Sequence, residues 1–312
     1  MTSQSFVHRA VLLEESISGL NIKPDGIYID ATFGRGGHSA EILKQLSSEG
    51  RLIALDRDDT AIESAQRFID DPRFSIHHVA FSNIEDVVNE LELMCNIDGV
   101  LMDIGVSSPQ LDDATRGFSF QKNGPLDMRM DRSTGISAAE WLNLASLEEI
   151  TMVLKTYGEE KFGKRIAHAV LEQRVIKPLE TTAEFAQLID AAVPVKDKFK
   201  HPATRSFQGV RIFINGELDQ LNQGLDAAVK VLRSGGRLVV ISFHSLEDRV
   251  VKRFIRRLSK GKDVPHRMPI MQEEIDADKV IKGIGKATKP SSEEIAQNVR
   301  SRSSVLRVAE KL

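Results

Sequence analysis

The sequence predicts an α/β fold in which a doubly wound sheet is interrupted by a helical insertion. Three observations predict it. Short apolar runs alternate with helical patterns over the first hundred residues. Residues 113–210 then show helical periodicity and no strands. The alternation resumes afterwards, and those late strands need the first sheet to join. A chain of 312 residues also exceeds one ordinary domain of about 100–200 residues. We therefore expect residues 1–112 and 211–312 to form the α/β core, with 113–210 as an inserted helical domain.

The elements follow in order. Ile27–Ala31 reads as a buried strand ending at the glycine cluster Gly34, Gly36 and Gly37. Ala40, Leu43 and Leu46 then share one helical face, and Arg51–Asp56 is a second strand that closes on an acid. Ala61, Ala65 and Phe68 mark a further helix, and Phe74–Val79 and Asp98–Asp103 further strands. Residues 110–135 are polar, hold Gly and Pro, and have no period; a loop that long is usually functional, and we read it as a candidate lid. Ser137 with Glu140, Ser146 with Glu149, and Thr181 with Glu184 fit the capping box of a helix start. The stripes Ile150/Val153/Leu154/Tyr157, Phe162/Ile166/Ala169/Val170 and Phe185/Leu188/Ile189/Ala192 give three helices. Leu218, Leu221, Leu225, Val229 and Leu232 make another, closed by Gly235–Gly236. Arg237–Ser242 is a strand, Leu246–Leu258 a basic helix and Val305–Val308 a last strand.

Several classes are excluded early. A single cysteine, Cys95, forbids an internal disulfide or a Cys-rich zinc site, and a reducing cytoplasmic compartment is expected. The first residues lack the basic and apolar regions of a secretory signal, and no apolar run approaches the roughly 20 residues of a membrane span. The eight histidines lack the paired spacing of a metal site, so no metal ligands are assigned, and the need for a metal stays open. The net charge of −3 hides an asymmetry. Residues 1–100 carry 8 basic and 17 acidic side chains, whereas the remainder carries 34 and 28. The two parts are suited to different partners.

The turn from Asp30 to His38 sits between a strand and a helix. Its glycines allow a close backbone approach, and the helix N-terminus offers free N–H groups to an anionic ligand group. Asp56 ends the next strand, where an acid accepts ribose hydroxyls. Together they indicate an adenosine-containing ligand. Ser39 stands where the dinucleotide fingerprint wants its third glycine, and Asp30 inside the turn would repel a pyrophosphate but suit a sulfonium or ammonium. S-adenosylmethionine is favoured over NAD, and no Walker loop is present. Asp103 closes the fourth strand beside the crevice, ahead of Gly105, Ser107, Ser108, Pro109 and Gln110. A nicotinamide-dependent oxidoreductase and a non-catalytic RNA-binding factor are the competing readings.

At this point FGRGGHS, LDRD, the run from Asp103 through Asp131, RIFINGEL and ISFHSLEDRVVKRF closely resemble the RsmH (MraW) family, from Val11 to the C-terminal SVLRVAEKL. That resemblance implies a class I methyltransferase (Rossmann-like) core with a substrate-recognising helical insertion. It implies an S-adenosylmethionine-dependent enzyme that methylates the exocyclic N4 of one cytidine in the decoding region of bacterial small-subunit ribosomal RNA, within the assembled or nearly assembled subunit. It places cofactor contacts on Gly36, Gly37, His38, Asp56, Phe81, Asp103 and Gln110, with Phe81 flanking the adenine and Asp56 taking the ribose.

The group that accepts the amine proton stays open among Asp103, Ser107, Ser108 and a backbone carbonyl, with Asp103 the catalytic candidate. His244 reads equally as a helix-entry residue or a site residue, and His8 is uninformative alone. Three basic clusters are candidates for RNA contact. The first runs over 249–267, where Arg249, Lys252, Arg253, Arg256, Arg257, Lys260, Lys262 and Arg267 face one acid, Asp263. The second is Lys196, Lys198, Lys200, Arg205 and Arg211. The third is Arg300, Arg302 and Arg307. Aromatic side chains are few, which favours a shaped ribosomal surface over stacking on free single strands.

Overall fold

The computed structural model describes residues 10–197, 201–261 and 276–312. The chain divides into two compact units, residues 1–105 with 218–312, and residues 106–217. The helical unit is wider than 113–210 because Val106 and Leu111 at its start, and Phe213 and Ile214 at its end, pack on its own core. His8, Lys198, Lys200, Lys262, Asp263 and Arg267 lie outside the described residues.

In chain order the elements are α1 (Leu13–Leu20), β1 (Ile27–Asp30), α2 (Gly37–Gln45), β2 (Arg51–Asp56), α3 (Asp59–Ser64), β3 (Phe74–His78), α4 (Ile84–Glu90) and β4 (Ile97–Asp103). The helical unit supplies α5 (Ser108–Asp112), α6 (Ala138–Leu144), α7 (Leu147–Thr156), α8 (Gly163–Ile176), α9 (Thr182–Ala192) and α10 (Ala203–Ile214). Then come α11 (Glu217–Val231), β5 (Leu232–Ser242), α12 (Ser245–Leu258), β6 (Ile281–Thr288), α13 (Ser292–Gln297) and β7 (Val305–Lys311).

The seven strands form one sheet in the order β3-β2-β1-β4-β5-β7-β6. All run parallel except β7, which is antiparallel to both β5 and β6. Strand residues alternate between two apolar layers. Val100, Met102 and Val240 join one core, and Leu101, Val239 and Ile241 the other. A sheet covered on both faces explains why its strands read as near-continuous apolar runs. The strand order reverses between β1 and β4, and a crevice at such a point is where open α/β sheets bind ligands.

Two sequence readings change here. Gly235–Gly236 does not cap α11. The helix runs directly into β5, and the glycines lie in a register shift between Ile97 and Gly99 of the partner strand, with Gly235 at φ +78°. β6 escaped notice because it is an edge strand with an exposed face that carries Lys282 and Lys286 and is interrupted by glycine.

The three capping boxes read from sequence all form, with Glu140, Glu149 and Glu184 each accepting from the backbone N–H of its cap residue at 2.7–3.0 Å. Residues 110–135 are not a bare loop. Phe118, Leu126, Met128 and Met130 are buried in the helical core. The Arg116 guanidinium donates to the carbonyls of Arg129 and Met130, and the Asn215 side chain accepts from Met130 N–H and donates to the Met128 carbonyl. The segment is irregular but packed, which argues against its reading as a lid.

Candidate active site

The glycine turn after β1 is shaped by contacts a side chain would destroy. Gly36 has φ +66°, and an added Cβ would lie 2.7 Å from ring atoms of both Phe33 and Phe68. Those two rings meet edge to face, 5.8 Å between centroids. Gly37 opens α2, so the first-turn N–H groups of Gly37 and His38 point out of the helix start without an intrahelical acceptor. Gly34 N–H donates to the Asp56 carboxylate at 2.7 Å, and Asp58 N–H donates to the other oxygen at 2.9 Å. Asp56 therefore ties the ends of β1 and β2 together. Burial pushes its carboxyl up, against these two backbone donors.

Asp30 is almost wholly buried. Its carboxylate accepts from the Ser39 hydroxyl at 2.6 Å and from Thr32 N–H at 3.2 Å. Burial pushes it up to about 6 despite those donors. Ser39, which departs from the dinucleotide pattern, is thus the residue that satisfies this acid. The Thr32 hydroxyl in turn accepts from Asp103 N–H at 2.6 Å, which links the turn to the end of β4.

His38 is buried, and its ring is directed inward. Nε2 lies 3.1 Å from the Val11 carbonyl and Nδ1 3.8 Å from Asp103 Oδ2. A carbonyl only accepts, so Nε2 carries the hydrogen and Nδ1 holds a lone pair. Burial lowers the imidazole to about 4, so it is neutral at physiological pH. Asp103 keeps 24% of its side-chain surface, yet its Oδ1 is buried and makes no hydrogen bond. Burial first, then the negative charges of Asp30 and Glu247, push its carboxyl well above the usual carboxylate range.

Glu247 was missed by sequence reasoning. It sits at the third position of α12 and is buried, and it accepts from the N–H groups of Phe243 and His244 at 2.8 and 3.3 Å. The signal was available: His244 and Glu247 have capping-box spacing, with the histidine ring as the cap acceptor. His244 is thereby a helix-entry residue whose ring faces the site-side acid at 2.9 Å.

The remaining expected residues are placed as follows. Phe81 is half-buried against the core, its ring over Gly224, where a Cβ would come within 2.5 Å. Gln110 lies in the helical unit, where its side chain accepts from Ser107 N–H at 2.9 Å in a further capping box. Ser107 caps that helix, and Ser108 begins it.

The basic clusters fare unequally. Arg249, Lys252, Arg253, Arg256, Arg257 and Lys260 are all exposed, and their spacing puts them on one face of α12 and its continuation. Arg300 and Arg302 are exposed too. Arg211 and Arg307 are not surface cations of this kind: they make bidentate pairs with Glu217 and Asp248.

A sheet of this order with one reversed strand, a glycine turn after β1 and an acid closing β2 is the architecture of a class I methyltransferase. The comparisons agree and narrow it. Residues 5–312 match the model of the MraW methylase family, and the chain belongs to that family. It is 65% identical over 312 residues to Ribosomal RNA small subunit methyltransferase H of Pseudoalteromonas atlantica, covering 100% of both chains. It is 66% identical over 307 residues to the protein of the same name from Alteromonas mediterranea, covering 98% of each. With that of Shewanella violacea it shares 59% over 310 residues, 99% of each. A methylase family excludes the nicotinamide reading of the same sheet.

Proposed function

We propose that this chain transfers a methyl group from S-adenosylmethionine to the exocyclic N4 of a specific cytidine in the decoding region of bacterial small-subunit ribosomal RNA. The observation that carries the reading is Asp103. It stands at the switch point beside the glycine turn and has a buried oxygen with no protein partner. An ammonium or an amine is the complement of such an atom.

The donor set suits the cofactor. The helix N-terminus offers the backbone N–H groups of Gly37 and His38 to the cofactor carboxylate, while Gly36 N–H donates to the Phe33 carbonyl and shapes the turn. Asp56 keeps lone pairs beyond its two backbone donors for ribose hydroxyls, and Phe81, just after β3, is the aromatic ring available to flank the adenine. When bound, S-adenosylmethionine supplies a methyl group already activated by its sulfonium. What the protein adds is alignment of nucleophile, carbon and sulfur, together with a destination for the amine proton. Asp103 is the acceptor we assign.

The exposed cationic face of α12 suits the phosphate backbone of the ribosomal RNA, and residues 106–217 suit recognition of the target within an assembled or nearly assembled subunit. A ribosomal substrate places the protein in the cytoplasm. Among the described residues no helix is long and apolar enough to cross a membrane.

The test is methyl transfer from labelled S-adenosylmethionine to small subunits taken from cells that lack this protein, followed by mapping of the modified nucleotide. Label on a single N4-methylated cytidine of the decoding region supports the proposal. Label elsewhere, or none, refutes it.

A further inference from the structure

We infer that His38 is a positioning residue for Asp103, receiving at Nδ1 a hydrogen bond from the protonated carboxyl once Asp103 has taken the amine proton. The inference deepens the reading above and rests on it only for the identity of the amine.

Three observations carry it. The Val11 carbonyl fixes the hydrogen of His38 on Nε2, which leaves Nδ1 as a bare acceptor. Nδ1 faces Asp103 Oδ2 at 3.8 Å, beyond hydrogen-bond length, so the bond requires the carboxyl to move towards the ring. The other carboxyl oxygen, Oδ1, has no partner. One oxygen thus faces an acceptor, which suits it only when it bears a hydrogen, and the other is left for a ligand.

The charged groups around the pair point the same way. Asp30 at the end of β1 and Glu247 at the start of α12 both face Asp103 and disfavour its ionisation. Asp56 at the end of β2 acts in the same sense on Asp30, and the His244 ring stands against Glu247. The His38 ring stands 3.8 Å from the Asp103 carboxyl, and its burial keeps it neutral. A neutral acceptor favours the protonated acid, whereas a charged imidazolium would favour the carboxylate.

The proton balance is simple. The C–S bond of the sulfonium breaks with its electron pair going to sulfur, and the N4–C bond forms from the nitrogen lone pair. The N4–H bond then breaks, its electrons stay on nitrogen, and the proton passes to the Asp103 carboxylate. The protonated carboxyl donates to His38 Nδ1. No other reactant is needed.

The first experiment uses the unaltered protein without cofactor. Nitrogen-15 spectra of its histidines, with His38 assigned, should show a neutral ring with hydrogen on Nε2 from pH 6 to 9. A charged ring at pH 7, or hydrogen on Nδ1, overturns the inference. The second follows the Asp103 carboxyl by carbon-13 titration in the unaltered protein and in His38→Gln and His38→Phe. Both replacements remove the bare nitrogen. Glutamine keeps an amide that can donate to the Val11 carbonyl, which guards against misfolding.

The expected result in His38→Phe is a downward shift of the Asp103 midpoint by about half to one pH unit, the worth of one neutral hydrogen bond, and a smaller one in His38→Gln, whose carbonyl oxygen still accepts. The acid limb of the methyl-transfer profile should move down equally. An upward shift, or no shift, overturns the inference. Loss of cofactor affinity with no movement of the profile would instead make the ring a plain cofactor contact. Should the unaltered protein methylate no ribosomal RNA while the carboxyl still shifts, the proposed function fails and the pairing stands.

Discussion

Replacing Asp30 by asparagine should make the protein more stable at neutral pH and less able to bind its cofactor. Asp30 is buried, and its carboxyl is raised from 3.8 to about 6, chiefly by burial. An acid whose pKa is raised on folding contributes stability that is fully present below its unfolded value and is lost as pH rises through the folded value. Here that window runs from about pH 4 to about pH 6. Two units at about 1.4 kcal/mol each make the ionised side chain cost roughly 3 kcal/mol at pH 7.5.

Asparagine avoids the charge and keeps the shape. Its carbonyl can accept from Thr32 N–H, and the Ser39 hydroxyl can turn to accept from its amide. Imperfect replacement of the 2.6 Å charge-assisted bond should take back about 1 kcal/mol, which leaves a gain of about 2. The assay is urea denaturation between pH 4 and 8, with amide exchange of β1 and β4 to assign the transition to the sheet unit. The variant should be up to about 1 kcal/mol less stable near pH 4 and about 2 kcal/mol more stable by pH 7.5. A variant less stable at pH 7.5, or a difference flat with pH, would refute the reasoning.

Other outcomes follow from the same geometry. Gly36→Ala adds about 1–2 kcal/mol of left-handed strain and drives a methyl group into Phe33 and Phe68. Calorimetry should show S-adenosylmethionine affinity reduced at least tenfold, and an unchanged affinity would mean the turn is not part of the site. Arg211→Met leaves the buried Glu217 carboxylate without its bidentate partner, at a cost of about 3–5 kcal/mol. Thermal unfolding of the helical unit should fall accordingly, and a loss under 1 kcal/mol would show that the pair is not effectively buried. Charge reversal at Arg253, Arg256 and Arg257 should weaken binding to small subunits and flatten its salt dependence, with cofactor affinity unchanged. Equal loss of both affinities would point to misfolding.

The sequence showed most of what is periodic and little of what is not. Strands β1, β2, β4 and the second half of β5 were legible because both faces of the sheet are covered, so each holds a short apolar run. The helical caps were legible because a capping box is a local rule of residue type and spacing. Residues 110–135 were misread because Phe118, Leu126, Met128 and Met130 reach the core from irregular backbone, with Met128 at φ +63°. Their partners include Asn215, far along the chain, and no window reveals that.

The candidate site divides in the same way. Asp56 and Asp103 were visible as acids closing strands. The orientation of His38 towards Val11, and the approach of Glu247 to Asp103, depend on which helix starts meet at which strand ends. Charge showed a similar limit, since Arg211 and Arg307 counted as RNA-facing cations until their carboxylate partners were located.

The reversed strand β7 has a consequence for how the protein is made. It lies between β5 and β6, so the inner edge of each is closed only by residues 305–311, which leave the ribosome after both. The helical unit is complete by residue 217 and can fold while synthesis continues. The sheet must wait, with β5 and β6 presenting open backbone edges in the interval. A nascent chain stalled before residue 305 would therefore carry a finished helical unit on an unfinished sheet, and such a chain is a natural client for chaperones rather than a partially active enzyme.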